Sequence, residues 1–166
     1  MHIKKAPDRR FQEILLLPMS LQDKVLKAEE HKAHGNDLFK AGQYQEAVKA
    51  YYYAYLNVKG IGFKPPGMAS DGDDESLIAQ GKDICLAVLL NLAACQLKLE
   101  RYDRAIVYCD DAIKVKETAK AYFRRGQAHF GLNNLIKAEN DLNRALAMQP
   151  NGTHLIKKGC LCVLRC

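Results

Sequence analysis

The stretch Thr118–Pro150, TAKAYFRRGQAHFGLNNLIKAENDLNRALAMQP, decides the fold that we predict for this chain. Tyr122, Gly126 and His129 mark a first helix, and the small residue at Gly126 allows a neighbouring helix to come close. A second helix carries small and apolar residues along one face: Leu135, Ala138, Leu142 and Ala145. Pro150 ends the stretch because proline cannot continue a helix. The stretch therefore predicts one helix–turn–helix unit.

Two further copies of this spacing lie upstream. The nearer copy is displaced by 33 residues and has its equivalent positions at Leu89, Ala93, Tyr102, Ala105, Cys109 and Ala112. The farther copy contains Gly35, Tyr44, Ala47, Tyr51 and Ala54. Ala47 and Ala105 are 58 residues apart, which exceeds one repeat of roughly 34 residues by about 24. We therefore predict three repeats, with an insertion between the first and the second.

The repeated unit resembles the tetratricopeptide repeat (TPR), in which a bulky residue, a small residue four positions later, an alanine on the second helix and a closing proline recur. The resemblance implies an all-α fold: a right-handed TPR superhelix, or α-solenoid, of three helix–turn–helix repeats. A chain of 166 residues with 48% hydrophobic content can bury the core of one such domain.

The sequence also predicts where the units begin and end. In chain order we expect a basic leader at 1–18, repeat 1 at 19–59, a Gly/Pro-rich acidic loop at 60–76, an extended helix with repeat 2 at 77–117, repeat 3 at 118–150 and a short Cys-rich tail at 151–166. Within repeat 1, Ser20 is expected to cap the first helix with Asp23 three residues on. Four tyrosines in its second helix are expected to pack between helices: Tyr51, Tyr52, Tyr53 and Tyr55.

The tail does not read as the amphipathic helix that usually covers the last repeat of such an array. Gly152 and Gly159 interrupt it, and a truncated or alternative C-terminus is the simplest explanation. We therefore expect an incomplete cap that leaves apolar surface exposed on Tyr122, Leu142 and Leu146. Its three cysteines do not form a prenylation box, and three thiols are weak evidence for zinc. We predict no metal and no cofactor.

The net charge of +6 does not indicate a nucleic-acid-binding protein. Residues 1–10 and residues 151–166 each carry an excess of +3, and the acidic and basic residues between them cancel. The excess therefore lies at the two ends and not on one continuous face, as a nucleic-acid footprint requires. We predict no nucleic-acid partner.

The remaining sequence signals favour a cytoplasmic protein. Cys85, Cys95 and Cys109 fall at apolar helical positions, where a reduced cysteine behaves as a small hydrophobic residue. The apolar run Cys85–Leu90 is much shorter than the roughly 20 residues of a membrane span. The run Ile14–Leu17 is too short for a signal peptide. We expect no membrane span and a cytoplasmic location.

The first helices of the three repeats carry polar residues at positions where a core would not favour them. Lys32 and Asn36 are four residues apart, as are Lys120 and Arg124, so each pair projects from one helix face. Asn91 interrupts an otherwise apolar helix. A buried amide without a partner costs about 1–3 kcal/mol, so Asn91 should either have a partner or face a groove.

These five residues match the carboxylate clamp of co-chaperone TPR domains, which they resemble within the strings Lys32-Ala-His-Gly-Asn36, Asn91-Leu-Ala-Ala-Cys-Gln-Leu-Lys98 and Lys120-Ala-Tyr-Phe-Arg124. The resemblance implies that the groove binds the C-terminal Glu-Glu-Val-Asp tails of the heat-shock proteins 90 and/or 70. It also implies that Phe39 and Lys98 line the same groove.

Residues from Met19 to about Asn151 are most similar to the TPR half of FKBP-type immunophilins and large cyclophilins, with the tetratricopeptide-repeat protein nine family as a second candidate. The sequence contains no paired carboxylates, nucleophile–base set or phosphate loop. We therefore expect a non-enzymatic chaperone adaptor with an unknown client. The alternative is a TPR scaffold that binds an unrelated acidic or helical partner.

Overall fold

A computed structural model describes residues 19–61 and 74–149 of the chain. These residues form helices joined by short turns, and none of them lies in a β-strand. The helices are α1 (Leu21–Lys40), α2 (Tyr44–Val58), α3 (Glu75–Lys98), α4 (Tyr102–Val115), α5 (Ala119–Gly131) and α6 (Leu135–Met148). The three predicted helix pairs are therefore α1–α2, α3–α4 and α5–α6.

One boundary differs from the expectation for the insertion. Helix α3 begins at Glu75 and not at Leu77, because the Asp74 carboxylate accepts a hydrogen bond of 2.9 Å from the backbone N–H of Ser76 and caps the helix. Glu75 and Ser76 are therefore helical and do not belong to the loop. The cap predicted at Ser20 is confirmed, since Ser20 Oγ accepts a hydrogen bond of 3.1 Å from Asp23 N–H. The predicted leader at 1–18, most of the loop and the tail lie outside the described residues.

The turn inside each helix pair has the same geometry. Gly42, Glu100 and Asn133 occupy equivalent positions and all have a left-handed backbone, with φ of 76°, 56° and 59°. In each turn the backbone N–H of the following residue bonds back to a carbonyl five residues earlier; for the first turn this is Gln43 to Leu38 at 2.9 Å. This bond closes the end of the first helix and fixes the angle at which the second departs. The repeat is thus visible in the backbone as well as in the sequence.

The first helices of the three pairs lie side by side. Within the described residues the backbone of α1 lies close to that of α3, and that of α3 lies close to α5, whereas the backbones of the second helices α2, α4 and α6 lie farther from one another. A row of helices that touch on one side and separate on the other is curved, with the touching helices on the inside. Helices α1, α3 and α5 therefore line the concave face, and α3 lies at its centre.

Close packing inside each pair depends on the small residues identified in the sequence. Gly35 lies against the ring of Tyr51, and a Cβ atom at Gly35 would be 2.7 Å from it. Gly126 faces Leu142 in the same way, with a calculated approach of 3.0 Å. The alanines predicted to form flat contact faces are fully buried: Ala47, Ala54, Ala105, Ala112, Ala138 and Ala145. The predicted cysteines Cys85, Cys95 and Cys109 are buried and unpaired as well.

Two expectations about side chains are wrong: that the last repeat exposes Tyr122 and Leu142, and that all four tyrosines near the centre of α2 pack between helices. Tyr122 and Leu142 do not expose apolar surface at the end of the array, since they are only 9% and 2% accessible. The guanidinium groups of Arg125 and Arg144 lie 5.2 Å and 6.0 Å from the Tyr122 ring centre and cover it. Leu142 fits against Gly126. Long cationic side chains can thus cover an apolar ring.

The second expectation holds for only two of the four tyrosines in α2. Tyr51 is buried and Tyr55 is half-buried, as expected for packing between helices. Tyr52 and Tyr53 are instead 45% and 55% accessible. Four tyrosines within five positions cannot all face inward on one helix, because successive residues are rotated by about 100° around the axis.

Helix α3 has the length and apolar composition of a membrane-crossing helix. It contacts α1, α2, α4 and α5 along its length, and much of it is buried between them. The central helix of a packed bundle needs this composition because it is covered on several sides.

An ion network joins the second and third repeats. Arg125 on α5 donates two hydrogen bonds, of 2.8 Å and 2.6 Å, to the buried Asp141 on α6 and one of 2.6 Å to Asp110 on α4. The bidentate geometry is the strong form of this pair. His129 Nε2 lies 3.9 Å from Asp141, and its Nδ1 atom is buried with no hydrogen-bond partner among the described residues. The network binds three helices through one guanidinium group.

We predict that Gly35→Ala destabilises the fold by about 1–3 kcal/mol, because the added methyl group would overlap the Tyr51 ring and force it to move. Urea unfolding followed by circular dichroism measures the change. The exposed neighbour His34→Ala is the control and should have little effect. Since alanine favours a helix over glycine by up to about 1 kcal/mol, a midpoint that stays the same or rises would contradict the steric conflict.

We also predict that stability falls as the pH is lowered through the range in which His129 titrates. Burial lowers the His129 pKa, with Arg125 and Lys137 acting in the same direction and Asp141 opposing them. The folded state therefore binds fewer protons than the unfolded state just below the unfolded pKa of about 6.5, so protonation favours unfolding.

The measurement is the urea midpoint at about pH 7.5 and about pH 5.5 for the wild-type chain and for His129→Gln. The wild-type midpoint should drop more between these values than that of His129→Gln. Parallel slopes for wild type and His129→Gln would contradict the prediction.

Candidate functional site

Two asparagines from different repeats meet on the concave face. Asn36 lies in the fifth turn of α1 and Asn91 lies in the fifth turn of α3. Asn91 Nδ2 donates a hydrogen bond of 3.2 Å to Asn36 Oδ1, and the Tyr51 hydroxyl donates another of 2.8 Å to the same oxygen. Asn91 thus has the partner that its place in an apolar helix required. The Asn36 oxygen is turned inward, and its NH₂ group makes no hydrogen bond with any described residue.

Arg124 of α5 reaches across to the same part of α3. Its guanidinium group donates a hydrogen bond to the backbone carbonyl of Leu90, the residue that precedes Asn91. Burial lowers the Arg124 pKa, and the groups that act against this shift are Cys109, Cys95 and Tyr51. Within residues 19–61 and 74–149, no carboxylate forms an ion pair with Arg124. A partly desolvated cation therefore lies at the centre of the concave face without a counter-charge from these ranges.

The two lysines lie one turn before Asn36 and Arg124. Lys32 is half-buried, and its ammonium group is 3.9 Å from the Glu29 carboxylate on the same helix. Lys120 is exposed at the start of α5. The Lys32–Glu29 pair was not predicted from the sequence. It is a weak, partly exposed contact, so it leaves the Lys32 ammonium group able to exchange Glu29 for another anion.

A cavity of about 560 Å³ continues the concave face toward the carboxyl ends of the first helices. It brings together Phe39, Lys98 and Arg124, which the sequence assigned to one groove. Its walls also include residues that sequence reasoning missed: Ala94, Leu97, Tyr102, Gln127, Phe130, Gly131 and Leu142. Helical spacing from Asn91 and Arg124 points to part of this wall, since Ala94, Gln127 and Gly131 are three, three and seven residues beyond them.

This arrangement favours binding of an anion over covalent chemistry. The concave face presents amide donors and cations next to an apolar cavity, which suits a carboxylate attached to a peptide. Burial raises the pKa of Cys95 and of Cys109 to about 12. These thiols therefore stay protonated and are poor nucleophiles. No group of three side chains suited to a metal ion occurs among residues 19–61 and 74–149.

Comparison with known proteins agrees with the repeated backbone. Family models described as Tetratricopeptide repeat match residues 86–118 and 119–151. The chain carries tetratricopeptide repeats. The matched ranges contain α4, α5, α6 and the second half of α3, so the TPR register found by sequence spacing is confirmed there.

The TPR region resembles those of FKBP-type immunophilins. Peptidyl-prolyl cis-trans isomerase FKBP42 of Arabidopsis thaliana is 34% identical over 140 residues, which cover 80% of this chain and 35% of FKBP42. The C-terminal TPR-containing domain of the putative FK506-binding protein PFL2275c of Plasmodium falciparum has a TM-score of 0.76 at 26% identity, covering 89% of this chain and 92% of that domain. The predicted likeness to the TPR half of these immunophilins is confirmed.

A third similar protein is the Hsp90 co-chaperone Cns1 from Saccharomyces cerevisiae, with a TM-score of 0.69 at 26% identity over 86% of this chain and 40% of the Cns1 chain. The present chain spans about a third of the length of FKBP42. What it shares with these proteins is a TPR region, which is a protein-binding and non-catalytic unit.

Proposed function

We propose that this TPR chain is a non-enzymatic adaptor whose concave groove binds the acidic C-terminal tail of a chaperone, of the Glu-Glu-Val-Asp type found on the heat-shock proteins 90 and/or 70. Lys32, Asn36, Asn91, Lys120 and Arg124 would hold the peptide carboxylates, and Phe39 and Lys98 would line the groove beyond them. The name of Cns1 as an Hsp90 co-chaperone supports this class of partner. A cytoplasmic location is a further prediction of the same proposal.

The state of Arg124 is the observation that carries the proposal. Its guanidinium group is partly buried and is held by the Leu90 carbonyl, and no carboxylate of the described residues neutralises it. A desolvated cation raises the free energy of the empty groove, and an incoming carboxylate lowers it again by forming charge-assisted hydrogen bonds. The neighbouring amides of Asn36 and Asn91 add donors with fixed directions.

The groove chemistry favours the end of a peptide over an internal acidic segment. A terminal aspartate presents two carboxylates within a few ångströms, and two amides and two cations from three helices can surround such a pair. The apolar cavity that begins beside Arg124 has room for an uncharged side chain farther along the same peptide. An internal aspartate or glutamate offers one carboxylate and would leave part of this donor set without a partner.

We expect a peptide ending in Glu-Glu-Val-Asp with a free carboxylate to bind with a Kd on the order of micromolar, or about −8 kcal/mol. The same peptide with an amidated C-terminus should bind about tenfold more weakly or worse, because amidation removes one charged acceptor. Isothermal titration calorimetry measures both. Equal affinities would reject the carboxylate-binding groove and favour a scaffold for an unrelated acidic or helical partner.

We also expect Arg124→Ala and Lys32→Ala each to weaken the free-acid peptide about tenfold, since each removes a charged donor. Arg104→Ala is the matched control: it removes the same charge from an exposed position on α4 that does not line the cavity. Binding should also weaken as salt is added, because the contact is ionic and partly exposed. If Arg104→Ala lowers the affinity as much as Arg124→Ala, the attraction is a general charge effect and the specific groove is rejected.

A further inference from the structure

Tyr51 differs from its counterparts in the other repeats. It occupies the position taken by Cys109 in the second repeat and Leu142 in the third. All three are buried, and Tyr51 and Leu142 pack against a glycine on the first helix of their own pair. Only Tyr51 carries a hydroxyl group, which is a strong hydrogen-bond donor. Packing alone does not require that group, because the same position is filled by an apolar leucine and by a thiol elsewhere in the chain.

The Tyr51 hydroxyl and the Asn91 amide both donate to one oxygen, Asn36 Oδ1, at 2.8 Å and 3.2 Å. Carbonyl oxygens accept two hydrogen bonds, so Asn36 Oδ1 is saturated. The oxygen and nitrogen of an amide point in different directions from the same carbon. Two donors at the oxygen therefore keep the Asn36 NH₂ group on the other side, away from Tyr51 and Asn91.

If the Asn36 amide were rotated by half a turn, its oxygen, and not its NH₂ group, would point away from Tyr51 and Asn91. That orientation would repel a carboxylate in the groove. The surroundings of Tyr51 oppose it. Burial raises the pKa of Tyr51 to about 12, so its hydroxyl keeps its proton. The positive charge of Arg124 acts against this rise in the pKa and does not cancel it.

We infer that Tyr51 is a positioning residue of the groove: its buried hydroxyl holds the Asn36 amide so that the NH₂ group is available to a peptide carboxylate. The ring reaches this place because Gly35, which precedes Asn36, has no side chain in its path. The inference rests on the proposed function, since the group that is positioned is a proposed carboxylate ligand. It adds a residue on a second helix, outside the five that would touch the peptide.

Tyr51→Phe tests this inference, because it removes the hydroxyl and keeps the ring packed against Gly35. The affinity for the free-acid Glu-Glu-Val-Asp peptide should fall about threefold to tenfold, the usual worth of one hydrogen bond. The same substitution made in the Asn36→Ala chain should change the affinity by less than about twofold, because the hydroxyl acts through Asn36. Tyr55→Phe, the same change on the same helix, should bind as wild type does.

The double substitution separates positioning from a general loss of structure. A similar loss of affinity from Tyr51→Phe in both backgrounds would mean that the hydroxyl acts through the fold and would overturn the inference. An unchanged affinity in the wild-type background would overturn it as well.

A second measurement does not depend on the peptide. The side-chain NH₂ signals of Asn36, assigned by their loss in Asn36→Ala, should shift in the ¹⁵N–¹H spectrum of free Tyr51→Phe and stay in place in Tyr55→Phe. If free-acid and amidated peptides bind equally to the wild-type chain, the proposed function fails and this spectrum alone decides the orientation of Asn36. Asn36 signals that are the same in wild type and Tyr51→Phe would overturn the inference in either case.

Discussion

The close approach of the two helices in each pair is the constraint on which the rest of the structure depends. Gly35 and Gly126 leave no room for a Cβ atom against Tyr51 and Leu142, and the alanines of the second helices are fully buried. Contacts this short fix each helix pair as a rigid unit, because protein interiors tolerate little change in volume. The left-handed turn residues then set the same angle in all three pairs. The curvature of the array and the position of its concave face follow from these units.

The groove combines groups that are individually costly to bury. An unpaired amide, a phenol hydroxyl and a guanidinium group would each destabilise an apolar core. Here Asn36, Tyr51 and Asn91 satisfy one another, and the Leu90 carbonyl supports Arg124. The groups left over include the Asn36 NH₂ group and further N–H groups of the Arg124 guanidinium, all of which are donors. Arg125, the next residue in the chain, shows the contrast, because it is neutralised by Asp141 and Asp110 and serves to join helices.

The sequence predicted the helix pairs and most of the packing because small residues at fixed spacing leave few alternatives. It placed Gly35, Ala47 and Tyr51 in one repeat and Gly126, Ala138 and Leu142 in another, and these residues do pack together. It also predicted that Asn91 needs a partner or faces a groove. Helical spacing could not identify that partner, because Asn36 lies 55 residues away and the distance depends on how the repeats stack. The exposure of Tyr122 was wrongly predicted for a related reason, since arginines from α5 and α6 cover its ring.

The bonds that shape the groove cross from one repeat to the next. Asn36 belongs to the first repeat but is held by Asn91 of the second, and Arg124 of the third is held by the backbone of the second. The geometry of the groove therefore depends on the spacing between α1, α3 and α5. A change in the curvature of the array would change the distances between the groups that form the groove. By thermodynamic linkage, any partner on the convex side that bends the array would change the affinity for a groove ligand, and a bound ligand would resist the bend by the same free energy.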